Sequence, residues 1–229
     1  MKKLLLACFI FLSFSLSAQV VGISQWVLKH GDQTPELPGV YGTQGVPGVN
    51  NRPGARIGSV SWKDNSGNLW LFGGKGYTAN SPNYLNELWK YDPLINQWAW
   101  MQGGYSTYGI YGSKGTAATI NRPGARYASS SWTDGAGNFW LYGGYGYTAS
   151  GGTGRLNDLW YYNTSTNLWT WMTGDSSLNV YGNYGSIGVP SSNNKPGSRV
   201  DATCWIDQTG NLCLLEVKGM QHLLGAIIC

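Results

Sequence analysis

Apolar and polar residues alternate in short runs, and each run stops at glycine or at a cluster of Asp, Asn, Ser and Gly. In residues 68–72, Leu69 and Leu71 fall on one side and Trp70 and Phe72 on the other, and the run then meets Gly73-Gly74. Residues 97–101 set Trp98 and Trp100 on one side. Period-two alternation over so few residues marks strands with two distinct faces. It predicts strands at 57–62, 68–72, 87–91 and 97–101, with 127–132 the counterpart of the first. Asp64-Asn65-Ser66-Gly67 and Asp92-Pro93-Leu94-Ile95-Asn96 have the composition of the turns between them. No helical period follows residue 18, so the chain is predicted to be all-β.

The pattern returns as a unit. Asn51-Arg52-Pro53-Gly54-Ala55-Arg56 recurs as Asn121-Arg122-Pro123-Gly124-Ala125-Arg126 and again as Asn194-Lys195-Pro196-Gly197-Ser198-Arg199. Each of the first two copies runs on through a paired glycine (Gly73-Gly74, Gly143-Gly144) to a tryptophan-rich last strand. The chain also opens with a lone match to that last strand, at 25–31. A fixed period of this kind decides architecture before any local reading does.

These residues resemble the kelch repeat of β-propeller proteins, of which the central domain of galactose oxidase is one. The match consists of the glycine pairs, of Tyr91 with Trp98 and Tyr162 with Trp169 at one interval, and of an arginine opening each copy (Arg56, Arg126, Arg199). The resemblance implies an incomplete β-propeller of four-stranded antiparallel kelch-like blades, and a lone fourth strand at the start is what ring closure would use. Kelch units are about 50 residues long, whereas the arginines here are 70 and 73 residues apart. The surplus sits mainly between the fourth strand and the next first strand.

The expected organisation is a signal peptide at 1–18, a closing outer strand with a long loop at 19–50, one blade with its inter-blade loop at 51–120, and a second at 121–193. The first half of a third blade at 194–215 and an out-of-frame tail at 216–229 complete it. Lys2, Lys3, the apolar run 4–16 and Leu16-Ser17-Ala18 read as a bacterial-type export signal cut after Ala18, which implies a secreted or cell-surface protein. A lipoprotein reading at Cys8 leaves almost no apolar stretch before it. The apolar run is too short to span a membrane. In the tail, Glu216-Val217-Lys218-Gly219-Met220-Gln221 replaces the expected Gly-Gly-Lys-Gly-Tyr. A one-base shift of its codons permits Gly-Gly-Lys-Gly-Tyr-Ala, so a frameshift is the expectation, and the parent would supply the missing blades. An intact in-frame stop at the locus with no repeats beyond it would overturn this.

Charged residues are 11% of the 229, aromatics 14%, and glycines number 34. The net charge of +4 includes Lys2 and Lys3, and with no basic cluster nucleic acid is not an expected partner. Cys204, Cys213 and Cys229 form no spaced framework.

Function is expected on the loops opposite the tight turns, at 75–85, 104–120, 145–156 and 175–193, where Tyr77, Tyr84, Tyr105, Tyr108, Tyr111, Tyr145, Tyr147, Tyr181 and Tyr184 sit among Gly, Ser, Thr and Asn. Arg56, Arg126, Arg199, Tyr77, Tyr108 and Tyr147 are the candidate ligand-binding residues, the arginines as bidentate holders of a carboxylate or acidic sugar. The competing role is structural: arginines that bond loop carbonyls, and tyrosines, including those of Tyr41-Gly42, Tyr111-Gly112 and Tyr181-Gly182, that pack loops onto blades. Before the tail, His30 is the only histidine, so neither a histidine triad nor a multi-histidine metal site is expected, and no cofactor or catalytic residue is assigned. The Cys/Tyr/His set of copper propellers has no match. Asp64 and Asp134 miss the spacing of sialidase-type aspartate boxes and read as turn acceptors. The expected function is non-catalytic binding of an extracellular protein or glycan. The alternative is the scaffold of an extracellular carbohydrate-active enzyme whose catalytic residues lie in other blades.

Overall fold

Strands form where the alternation places them. The structure is a computed structural model that describes residues 27–78, 81–105, 107–215 and 227–229. The proposed leader, Trp26 and most of the anomalous tail lie outside these residues. The first unit contains β1 (Arg56–Ile57), β2 (Val60–Lys63), β3 (Leu69–Phe72), β4 (Lys75–Tyr77), β5 (Pro82–Tyr84), β6 (Leu88–Asp92) and β7 (Gln97–Gln102). The second contains β8 (Arg126–Tyr127), β9 (Ser130–Thr133), β10 (Phe139–Tyr147), β11 (Thr153–Asn163) and β12 (Leu168–Thr173). The third contains β13 (Thr203–Ile206), β14 (Leu212–Leu215) and β15 (Ile227–Ile228). The chain is all-β: the described residues hold no helix, and the strands form several small antiparallel sheets. The described residues form no closed barrel or ring.

In the first unit the sheet order is β2-β3-β6-β7, a simple meander. Val60 and Trp62 alternate with exposed Ser61 and Lys63 along β2, as a half-buried strand requires. The turn between β2 and β3 is held by Asp64, whose Oδ1 accepts the N–H groups of Ser66 and Asn68, both at 2.9 Å, while Oδ2 accepts Trp70 Nε1 at 2.8 Å. Burial pushes this carboxyl up, but the hydrogen bonds from Trp70 and Asn68 outweigh it and hold the pKa below the usual range. Asp134 and Asp207 hold the equivalent turns through the same backbone bonds. The turn-acceptor role read from the sequence is the one these aspartates fill.

Two sequence expectations need correction. The first strand does not run unbroken over 57–62, because Gly58 turns the backbone to a φ of 65°, and Ala128 and Asp201 do the same in the later units at 58° and 52°. The segments 75–85 and 145–156 are not simply loops. β4 pairs with β5, and β10 with β11, to make a hairpin extension past the glycine pair. The pair is a bulge, with the register of β10 on β11 shifting between Tyr142 and Gly144. A bulge re-aims a strand without ending it.

The bulge also joins neighbouring units. The Gly74 N–H donates to Arg126 O at 2.8 Å, the Arg126 N–H to Leu85 O at 2.9 Å, and the Ala128 N–H to Gly58 O at 2.8 Å. One unit later the same three bonds run from Gly144 to Arg199 (2.9 Å), from Arg199 to Leu156 (3.0 Å) and from Asp201 to Ala128 (2.9 Å). Around this seam the aromatic side chains interlock. Trp62 stacks on Phe139 of the next unit at 4.9 Å, and Phe72 meets Trp169 at 5.4 Å. A second cluster of Trp132, Tyr142 and Leu214, with Cys204 and Ile206 against it, fills the following seam.

The surplus residues of each period form a strap. In the first strap Val40 bridges Arg52, and Gly45 N–H and Gly48 N–H bond the carbonyls of Trp100 and Trp98 on β7 at 2.7 and 3.1 Å. In the second, Ile110 bridges Arg122, Gly115 bonds Trp171 O, and Ala118 bridges Trp169 on β12. Each strap thus pairs with the open edge of the outer strand of its unit, an edge that would otherwise invite intermolecular pairing. The bend at Gly42, with φ of 64°, leaves no room for a side chain, since a Cβ there would lie 2.3 Å from Asn51 Oδ1. The Asn51 amide in turn bonds Val46 O at 3.0 Å and pins the strap.

A disulfide joins Cys213 to Cys229, and β15 pairs with β14 beside it. The cysteine spacing had given no sign of this. Cys204 is free.

Equivalent positions differ in burial by place in the series. Phe139 is fully buried against the first unit, whereas its counterpart Leu69 is 45% exposed. Phe139→Ala is therefore expected to lower the unfolding free energy by about 3–5 kcal/mol, and Leu69→Ala by less than about 1 kcal/mol. Urea unfolding of the two variants checks the contrast.

Candidate functional site

The repeated arginines sit at the seams and face inward. In β8, Arg126 Nε donates to Gly124 O at 2.9 Å and Nη1 to Gly143 O at 3.0 Å. The same guanidinium grips Asp158 bidentately, at 2.6 and 2.7 Å, with both side chains wholly buried. Asp158 also accepts the Tyr111 hydroxyl at 2.7 Å and Trp160 Nε1 at 2.8 Å. The first unit repeats the arrangement with Glu87, which accepts Arg56 Nη2 at 2.5 Å, Trp89 Nε1 at 2.8 Å and the Tyr41 hydroxyl. In the third, Arg199 Nε donates to Gly197 O and Nη2 to the Tyr184 hydroxyl, both at 3.0 Å. Arg56 and Arg126 bond loop carbonyls, as the structural alternative weighed for them requires, and the carboxylates they hold belong to the chain itself. They lock each strap tyrosine and each third strand to the seam.

Tyr184, not Tyr181, is the strap residue equivalent to Tyr41 and Tyr111. Asn183 bridges Lys195 as Val40 bridges Arg52, and the bend glycine is Gly185, held by Asn194. Tyr181 stays 60% exposed. The expected loop at 104–120 also divides, because its second half leaves for the outer edge as a strap.

Among the candidate tyrosines the structure brings Tyr108 and Tyr147 together, at 5.5 Å between ring centroids. Three more complete a contiguous cluster across the first seam. Tyr84, at the end of β5, stacks on Tyr127 of β8 at 5.6 Å with planes 6° apart, and it touches Tyr145 at 6.0 Å and Tyr147 at 5.9 Å. Tyr127 and Tyr145 are register partners in neighbouring strands, 5.9 Å apart. Lys75 Nζ lies 6.0 Å from the Tyr84 ring. Tyr77 stands apart from the cluster, and the Glu36 carboxylate near its hydroxyl, followed by desolvation, raises its pKa. Burial first, and then the neighbouring tyrosines, push Tyr84 up as well.

The tyrosines fall into two groups. Those inside the fold use their hydroxyls: Tyr91 bonds Asn96, Tyr111 bonds Asp158, Tyr142 bonds Pro196 O and Tyr162 bonds Asn167. Among the described residues, no hydroxyl of Tyr84, Tyr108, Tyr127, Tyr145 or Tyr147 has a hydrogen-bond partner, and all five rings are partly or well exposed. The repeat does not need three of them, since Ile57 stands where Tyr127 is, Lys75 where Tyr145 is, and Arg155 where Tyr84 is, whereas Tyr77 and Tyr181 keep the ring of Tyr147 and Tyr108 in other units. That departure from the repeat was a signal the sequence offered. Tyr127 was missed because it was counted as part of a strand.

No protein-family profile matches the chain, and no curated protein matches it. Among solved structures, one titled "Structure of YjhT" aligns with 78% of this chain and 36% of its own, at 18% identity and a TM-score of 0.43. The chain spans about a third of that protein's length.

Asp158→Leu leaves the Arg126 guanidinium buried without its carboxylate, and is expected to cost about 3–5 kcal/mol of stability. The double variant Arg126→Met/Asp158→Leu should recover more than half of that loss. Urea denaturation of the four forms in the cycle reads the coupling, and losses that simply add would show the two side chains to act independently.

Proposed function

We propose that this chain is a run of kelch-like blades from an exported β-propeller and acts as a non-catalytic binding module, holding an extracellular protein or glycan on the tyrosine cluster. The observation that carries the reading is the set of five clustered tyrosines with unpaired hydroxyls, three of which (Tyr84, Tyr127 and Tyr145) stand at positions where another unit has Arg, Ile or Lys. Side chains that the scaffold does not require, held on a rigid seam, are those free to serve recognition. Tyrosine suits the task because its ring supplies contact area at low entropic cost while its hydroxyl exchanges hydrogen bonds. The propeller reading is supported by three seam bonds repeated in the same register from unit to unit, each set including a residue with a left-handed backbone. A module that binds and does not transform its ligand fits the Arg56 and Arg126 sites as well, because their charges are spent on internal carboxylates.

Binding of the purified chain to a printed panel of extracellular polysaccharides and surface proteins tests this. Tyr84→Ala and Tyr147→Ala are each expected to weaken the binding that is found by about tenfold or more, while Tyr77→Ala changes it less than about twofold. Equal effects at all three positions, or release of new reducing ends from a bound glycan, would overturn the reading.

A further inference from the structure

The repeat supplies its own control for a second site. At the seam between the second and third units, β12 runs into Gly174 and Asp175. The Asp175 N–H donates to Asn157 Oδ1 at 3.1 Å. Its carboxylate accepts Lys195 Nζ at 2.9 and 3.0 Å and Asn157 Nδ2 at 2.8 Å. One seam earlier the same backbone bond runs from Gly104 N–H to Asn86 Oδ1, at 2.8 Å, so Gly104 and Asp175 occupy equivalent places. The cation is conserved in kind, as Arg122 stands where Lys195 is. The carboxylate is missing: among the described residues Arg122 has no acidic partner.

Space is open where that carboxylate would be. A Cβ built on Gly104 meets no atom within 4 Å, and its backbone is not left-handed. Beside it lies a cleft of about 390 Å³ lined by Gln44, Trp100, Gln102, Thr107, Thr119 and Arg122. Arg122 Nε and Thr107 Oγ1 are buried atoms of this wall with no hydrogen-bond partner. A third example stands ahead of the first unit, where Asp32 occupies the position of Asp175. Hydrogen bonds from Thr34 chiefly hold its carboxyl below the usual range, and the charge of Arg52, the counterpart of Arg122, adds to the effect. Two of the three positions therefore carry an aspartate, ion-paired to the cation only at Asp175–Lys195, and the first seam alone carries glycine.

We propose that the cleft at the first seam binds a ligand carboxylate, in the place the Asp175 carboxylate takes at the second seam, and that the ligand is an acidic saccharide. Arg122 supplies the charge and a planar pair of donors suited to a carboxylate, and Asn86 supplies an amide as Asn157 does for Asp175. The rest of the wall favours a sugar over a peptide. Thr107 and Thr119 offer hydroxyls and Gln44 and Gln102 amide oxygens to match vicinal hydroxyls, the two amide nitrogens already donating to Met101 O and Asn167 O, and Trp100 adds an aromatic side chain. The cleft is of a size that takes a small ligand. None of the five clustered tyrosines lines this cleft, although Thr107 in its wall precedes Tyr108.

Calorimetric titration of the full chain with digalacturonate, with its neutral dimethyl ester and with a short acidic peptide tests the proposal. The wild-type chain is expected to bind one equivalent of digalacturonate, and the ester at least tenfold more weakly. Gly104→Asp places an internal carboxylate in the cleft and should abolish binding while keeping the wild-type thermal midpoint or raising it. Asp175→Gly opens the sister cleft and should add a second equivalent. Tyr84→Ala should leave both affinity and stoichiometry unchanged, which separates this site from the tyrosine face. Unaltered binding by Gly104→Asp, an unchanged stoichiometry in Asp175→Gly, or equal affinity for the ester would overturn the carboxylate site. Binding of the peptide in place of the sugar would overturn the saccharide assignment.

Discussion

Two consecutive glycines with left-handed backbone allow one strand to serve two units, and the rest of the structure depends on this. At Gly143 a Cβ would lie 2.9 Å from Leu156 O and 3.0 Å from Arg199 O, and at Gly73 it would lie 2.7 Å from Arg126 O. These are backbone atoms that cannot step aside. With no side chain present, the strand bulges and continues, its amide reaches the carbonyl of the next unit, and the aromatic faces close over the joint. Any residue with a Cβ would meet both the steric conflict and the cost of a positive φ. The seam is thus a backbone construction first and an apolar one second.

Charge is then used to fix what the backbone has placed. The Arg126–Asp158 pair is fully buried, which is costly unless every polar atom is matched. Here the guanidinium meets two carbonyls and a bidentate carboxylate, and the carboxylate meets a tyrosine and a tryptophan as well. One cluster ties together the strap, the start of a unit and its third strand. Such a network gives little net stabilisation over an apolar core of equal volume, but it penalises any other register strongly. In a chain built of similar units, that penalty guards against pairing with the wrong neighbour.

Near-identical units make departures from the repeat informative. Where Phe139 becomes Leu69, the difference follows from which face a neighbour covers. Where Ile57, Lys75 and Arg155 become Tyr127, Tyr145 and Tyr84, or Asp175 becomes Gly104, packing offers no reason. The tyrosines sit on the surface and the glycine faces open space. Both proposals rest on this asymmetry, one from residues added to the repeat and the other from a residue taken away.

Much of the fold was legible in the residues because it is set locally. Alternation of period two fixes which side of a strand is buried, Asp64 and its counterparts fix the turns, and the spacing of Arg56, Arg126 and Arg199 fixes the unit. The order of side chains across a seam was not legible. Whether Gly73-Gly74 ends a strand or bends it depends on a carbonyl more than fifty residues further on, and no local pattern records that partner. For the same reason the sequence offers the arginines either a ligand or the loop carbonyls as partners, and does not name Glu87 and Asp158, which lie beside them. Tyr84 reads as a loop residue and Tyr127 as a strand residue, and nothing local shows that the two, from different units, stack. Local alternation chose the strands, and contact between units chose what those strands present to the outside.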